Sequence, residues 1–130
     1  MDSVLKTILS SNAPAPGGHY SQAVVHNGLV YVAGQLPITP AGAKLSGAPI
    51  EAQAEQALRN VAAILEAAGS GLDRVLQITV YVADIAEWAT VNAVCARMFG
   101  EHRPARAVVP VKELHFGFGL EIQAIAALDG

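Results

Sequence analysis

The sequence predicts an α+β domain in which two helices pack on one face of a mixed β-sheet. Three observations lead there. Apolar residues alternate with period two over 29–35, 75–82 and 120–128, whereas over 50–68 and 84–99 they recur at helical spacing. Asn27-Gly28 separates two β-rich runs, a strong signal for a tight hairpin. Strands and helices then follow in the order β, ββ, α, β, α, ββ, and amphipathic helices in that order must cover one side of a sheet. The 130 residues suffice for one domain, expected to span 1–130.

Taken in order, Ser3 to Leu9 alternate weakly and suit a first edge strand, and 12–18 form a Pro/Gly loop. Tyr20 to His26 and Leu29 to Gln35 make the hairpin. Gly34 near the end of the second strand marks a bulge, a close backbone approach or a plain strand end. After a loop over 39–49, a helix from Ile50 to Ala68 carries Ala54, Ala57, Leu58, Val61, Ile64 and Leu65 on one stripe, with Glu51 at its positive end and Gly69 to stop it. The strand Val75 to Val82 turns its even residues, Leu76, Ile78, Val80 and Val82, toward the core. Asp84, with Glu87 three residues on, opens a second helix through Phe99 whose inward stripe is Val91, Val94, Cys95 and Met98. The last strand, Leu120 to Leu128, has Leu120, Ile122, Ala124 and Ala126 on one face and Glu121, Gln123, Ile125 and Ala127 on the other. That second face is too apolar for solvent, so association of copies is the simplest way to cover it.

Between these elements lies 103–112, where Pro104 holds the approach extended and delivers Arg106 to an apolar strand with Val108 and Pro110 on its face. A guanidinium among small apolar residues can grip a carboxylate through two parallel hydrogen bonds; the bland alternative is a solvated strand-end arginine. Glu121 is a carboxylate in an apolar strand, which needs a partner or a raised pKa and suits either an acid that orients water or a paired surface glutamate. Tyr20, beside Gly17-Gly18-His19, places a hydroxyl at a pocket mouth or in the core, and Asn92 is a polar residue near a helix stripe. His102 and His115 flank the arginine strand and rank as secondary base candidates.

Several classes find no footing. Net charge is -3 and the eight Lys and Arg residues are scattered, against nucleic-acid binding. The four histidines lack metal-ligand spacing, and the single cysteine, Cys95, excludes an internal disulfide. No apolar run reaches the roughly 20 residues of a membrane span and 1–12 do not read as a signal peptide, so a cytoplasmic location is expected. There is no G-x-S-x-G turn, phosphate loop or dinucleotide fingerprint.

The segments Gly18-His-Tyr-Ser-Gln-Ala23, Ala33-Gly-Gln-Leu-Pro37, Arg103-Pro-Ala-Arg-Ala107 and Leu120-Glu-Ile-Gln-Ala-Ile-Ala126 together resemble the RidA family, also called YjgF or endoribonuclease L-PSP, over nearly the whole chain. The resemblance implies a chorismate-mutase-like α+β fold assembled as a homotrimer with pockets between subunits. It also implies cofactor-independent hydrolysis of reactive 2-imino or enamine acids, such as 2-iminopropanoate or 2-iminobutanoate, to 2-oxo acids and ammonia. Arg106 and the backbone of Gly34 would hold the substrate carboxylate, Glu121 and the Val108 carbonyl would orient water, and Tyr20 and Asn92 would line or support the pocket. This chain departs from the family pattern at Ala33, where a serine or threonine hydroxyl is common, at His19, Ala107 and Gln123, and in the turn His115-Phe-Gly-Phe-Gly119. Phe116 and Phe118 are expected at the substrate, reshaping the pocket for a bulkier or more apolar ligand, and Ala33 keeps open a carboxylate-binding or regulatory trimer with little or no turnover.

Overall fold

In the computed structural model, which describes residues 4–128, the chain forms six strands and two α-helices. The strands are β1 (Lys6–Ile8), β2 (Ala23–His26), β3 (Leu29–Gln35), β4 (Val75–Val82), β5 (Ala105–Pro110) and β6 (Leu120–Ala127). The helices are α1 (Ile50–Ala68) and α2 (Trp88–Phe99). One sheet results, ordered β1-β2-β3-β6-β4-β5, antiparallel throughout except for the parallel pair β4/β5. The expected mixed sheet with its two helices is therefore what forms.

The hairpin turns where Asn27-Gly28 allows it: both residues have positive φ, 50° and 80°, the pattern whose twist matches a β-ribbon. α1 ends where Gly69 takes a left-handed conformation, φ 89°. There the Ser70 N–H donates to the Leu65 carbonyl at 2.8 Å and the Gly69 N–H to that of Glu66 at 3.1 Å, closing the last turn. The inner face of α1 and residues Val91, Val94 and Cys95 of α2 bury against Val30, Val32, Ile78, Val80, Leu120 and Ile122 of the sheet. Arg97 of α2 meets Glu55 of α1 at 2.8 Å, a surface contact of modest weight.

Four local differences separate sequence and structure. The first strand shortens to Lys6–Ile8, and Ser3, its expected start, lies outside the described residues. The strand expected from Tyr20 begins only at Ala23, because the buried Gln22 amide is committed to the loop before it: its Oε1 accepts from Ser10 N–H at 2.6 Å and its Nε2 donates to the Pro14 carbonyl at 2.9 Å. Leu76 is 50% exposed while Val75 is fully buried, since the β4/β6 register shifts between Val75 and Gln77; one extra residue there turns both Leu76 and Gln77 outward. Finally, Asp84 caps a short 3-10 turn over Ile85–Glu87, accepting from Ala86 N–H at 2.9 Å, and the α-helix proper starts only at Trp88.

Candidate functional site

β5 is an edge strand of the sheet, and the register sets Arg106 beside Ile78 and Val108 beside Val80. Both partners are fully buried beneath the helices, so Arg106 and the half-buried Val108 lie on the helix-bearing face. There α2 holds the guanidinium on two sides. Nη1 donates to Asn92 Oδ1 at 3.0 Å, and Cζ lies 5.4 Å from the centre of the Trp88 ring. Trp88 and Asn92 are four residues apart and therefore share one side of the helix. Cys95 is buried next to them; burial raises its thiol pKa, and the neighbouring Arg106 pulls the other way. Every one of these partners is neutral. The cavity in front of the guanidinium, about 510 Å³, includes Asn92, Cys95, Phe99, His102, Arg103 and Arg106 in its wall and no carboxylate.

Glu121 faces the other way. Its neighbours Leu120 and Ile122 are fully buried in the core, so alternation sends the carboxylate to the helix-free face, beside Tyr81 of β4. It lies against the backbone of Gly34, where a Cβ would sit 2.5 Å from Oε2 and 2.9 Å from Cδ. The β3/β6 register shifts between Val32 and Gln35, so Gly34 is both a bulge position and a place of close approach. Desolvation pushes the Glu121 carboxyl above the usual carboxylate range, opposed by the nearby His115. A second cavity, about 750 Å³, joins Glu121 to Tyr20, Ala33, Gly34, Lys44, His115 and Phe116. The Tyr20 hydroxyl accepts from Gly17 N–H at 3.1 Å, and the side chain is exposed rather than core-packed.

The turn after β5 is built on an irregular backbone. Phe116 adopts φ 58°, and its ring stacks on His115 with centroids 3.7 Å apart. Lys44 Nζ lies 4.7 Å from the centre of the same ring, tying the loop after β3 to this turn. Phe116 is exposed at the cavity. Phe118, expected beside it at the substrate, is 1% exposed and presents its edge to Phe116 at 6.0 Å. Phe118 thus packs behind Phe116 and is not among the residues of the cavity wall.

Sequence reasoning missed the side chains that hold these walls. Gln53 and Asn60 are buried polar residues on the inner face of α1. Asn60 Nδ2 donates to the Ile38 carbonyl at 2.8 Å, whereas Gln53 donates to Ala48 O at 2.8 Å and accepts from Gly119 N–H at 2.9 Å. With Gln22 they pin the segments that frame the Glu121 cavity. Their position within an apolar helical stripe was the available signal, since a buried amide needs partners. Trp88 was missed because it stands at the helix start, outside the inward stripe.

The predicted residues thus divide into two groups. Arg106, Asn92 and Val108 stand on the helix side; Tyr20, Ala33, Gly34, Phe116 and Glu121 surround the other cavity. β6 and β5 are separated by β4, roughly 10 Å across the sheet at ordinary strand spacing, and the two charged side chains leave from opposite faces. Among the described residues no group of three or more His, Cys, Asp or Glu side chains is placed to hold a metal ion. No helix is long and apolar enough to cross a membrane.

Residues 10–128 match the family profile described as Endoribonuclease L-PSP. The chain belongs to this family. Family members resemble it throughout their length: Protein HMF1 of Saccharomyces cerevisiae is 39% identical, with 98% of each chain covered. A Bos taurus protein named 2-iminobutanoate/2-iminopropanoate deaminase is 42% identical, covering 97% of this chain and 93% of its own. Among solved structures, that of E. coli TdcF with bound serine superposes with a TM-score of 0.90 at 36% identity, covering 95% of this chain and 99% of that one.

Proposed function

We propose that this protein hydrolyses small reactive 2-imino acids to 2-oxo acids and ammonia, at a site that two neighbouring copies of the chain assemble from their complementary halves. The observation that supports it best is the state of Arg106: a guanidinium held by Asn92 and Trp88, with no carboxylate in its cavity wall, is oriented yet uncommitted. A substrate carboxylate supplies the missing counter-charge through two parallel hydrogen bonds. The acid that would act on the imine lies on the opposite face of the same sheet, which is why the reading requires a second copy. The apolar helix-free face, with Tyr31 and Leu76 about half exposed, gives copies a surface to bury, and the family resemblance implies that they assemble as a trimer.

In this reading water, oriented by Glu121 and the Val108 carbonyl, adds its oxygen to C2 of the imine. Glu121 takes a proton from the water and returns it to nitrogen, giving a carbinolamine. Transfer of the hydroxyl proton to nitrogen, again through Glu121, lets the C–N bond break, so ammonia leaves, the C2 carbonyl forms, one water is consumed and no cofactor enters. A carboxyl whose pKa is raised by desolvation exchanges protons closer to neutrality than an ordinary glutamate. The Bos taurus relative bears the name of this activity.

The test is to generate 2-iminopropanoate or 2-iminobutanoate with a dehydratase in amine-trapping buffer and follow loss of the imine. Accelerated decay that disappears in Arg106→Ala is expected; decay at the same rate with and without protein would falsify the reading. Ala33 favours a second one, since its methyl group stands in the Glu121 cavity where the family resemblance leads one to expect a hydroxyl. On that reading the protein binds small carboxylates without turnover, and calorimetry would give Arg106-dependent heats with 2-oxo acids beside unaccelerated imine decay.

A further inference from the structure

We infer that the Arg106 cavity is built for substrates with two carboxylates, and that Arg103 is the residue that selects them. This rests on the reading of Arg106 above and adds the substrate class. The wall of the cavity includes Arg103 and His102 as well as Arg106, with no aspartate or glutamate to balance them. Two permanent positive charges therefore border a space of about 510 Å³. One monocarboxylate neutralises only one of them.

The two arginines are held differently. Arg106 is fixed by Asn92 and Trp88. Arg103 has no hydrogen bond or ion pair within the described residues, and the arginine–carboxylate pairs of the surface are made by Arg59 and Arg97 instead. Pro104 separates the pair and keeps the backbone extended, so they are three residues, roughly 10 Å of chain, apart. Two long side chains that wall one cavity can close this span onto the ends of a four- or five-carbon diacid. The apolar surface of Phe99 and Ala96 in the same wall suits the methylenes between its carboxylates. His102 adds no competing acceptor there through Nε2, which sits 2.7 Å from the Val75 carbonyl and donates to it. A phosphate would satisfy Arg103 equally well in charge, but it has no use for an apolar wall between the cations.

The class is thus 2-imino dicarboxylates, with 2-oxo dicarboxylates as their products. The pair of ligands that tests it is 2-oxoglutarate and 2-oxopentanoate, equal in chain length and different only in the second carboxylate. Trp88 is the sole tryptophan and lies over Arg106, so its fluorescence reports occupancy, with calorimetry as a second measure. At about 0.15 M salt, wild type should bind 2-oxoglutarate about tenfold tighter than 2-oxopentanoate, in line with one additional charge-assisted contact. Arg103→Gln should remove that preference and leave 2-oxopentanoate affinity unchanged, while Arg106→Gln should lose both ligands.

Equal affinity in wild type, or a preference that survives in Arg103→Gln, overturns the inference. If imine hydrolysis persists in either case, the proposed function stands without it. Failure of wild type to bind either acid overturns the carboxylate role of Arg106 and this inference together. Displacement of 2-oxoglutarate by sulfate as readily as by a second dicarboxylate would show an unselective cationic patch and also overturn it.

Discussion

The two cavities use the same sheet in opposite ways. On the helix side, Arg106 is delivered by a regular strand and clasped by a regular helix, so its geometry follows from period two in β5 and period 3.6 in α2. Around Glu121 hardly anything is regular: a bulge, a glycine with the carboxylate packed against it, a phenylalanine at φ 58° and three buried amides hold loops in place. The comparison teaches that the cation is positioned by secondary structure and the acid by exceptions to it. Damage should differ accordingly, with substitutions near Arg106 changing binding and substitutions near Glu121 changing the shape of the wall.

The largest expected effect is that of Arg106→Ala. Loss of the carboxylate contact and of the alignment it enforces should lower kcat/KM for imine hydrolysis by at least about 100-fold, with little change in Tm, which steady-state kinetics and calorimetric melting would check together. A melt that collapses instead would make Arg106 a structural residue and erase the contrast.

Next is Gly34→Ala. Its new Cβ meets the Glu121 carboxylate at 2.5 Å, so either the acid or the bulge must move. Activity should fall by roughly tenfold or more alongside a stability loss of about 1–3 kcal/mol, measured by urea unfolding. Unchanged kinetics would show that Glu121 need not stay where it is. Of similar size, Asn60→Leu should cost about 1–3 kcal/mol, because the Ile38 and Leu36 carbonyls lose a buried donor. That loss should appear in unfolding while carboxylate affinity at Arg106 is retained.

Trp88→Ala tests the helix side more gently. Removing a half-exposed ring from the guanidinium should weaken carboxylate binding by about two- to fivefold, and Trp88→Phe should restore most of it. The smallest effect concerns pH. Because the folded carboxyl of Glu121 binds its proton more tightly than the unfolded one, its stabilising contribution is present at low pH and is lost as pH rises from the ordinary value of 4.5 through the raised folded pKa. Glu121→Gln should therefore melt slightly higher than wild type at neutral pH, with the advantage fading below about pH 4 as both forms become uncharged.

Much of this was legible in the chain. Asn27-Gly28, the stripe of α1 with Gly69 after it, and the alternation of β6 all state their structure locally. Arg106 was legible too, because Pro104 announces an extended entry. What could not be read was which way Arg106 and Glu121 point relative to one another. Both faces of β5 are apolar, Val108 and Pro110 on one and Ala107 and Val109 on the other, so alternation there carries no inside or outside mark. Only pairing with β4 assigns it. Leu76 was misplaced for a related reason, since a bulge resets the phase without altering composition. The role of Trp88 depends on a contact between α2 and β5, which neither segment records alone.

The strand order has a consequence for how the molecule comes into being. β6 follows the other five described strands in the chain, yet it sits between β3 and β4 and hydrogen-bonds to both. Until residues 120–127 emerge, β3 and β4 each present an open edge and the helices lack the middle of the floor they pack on. The β2/β3 hairpin can close early, but the sheet has to wait for its own centre, which makes folding a late and non-local event. A nascent chain stopped before Leu120 is a pair of sticky fragments, and the final strand acts as the keystone that joins them.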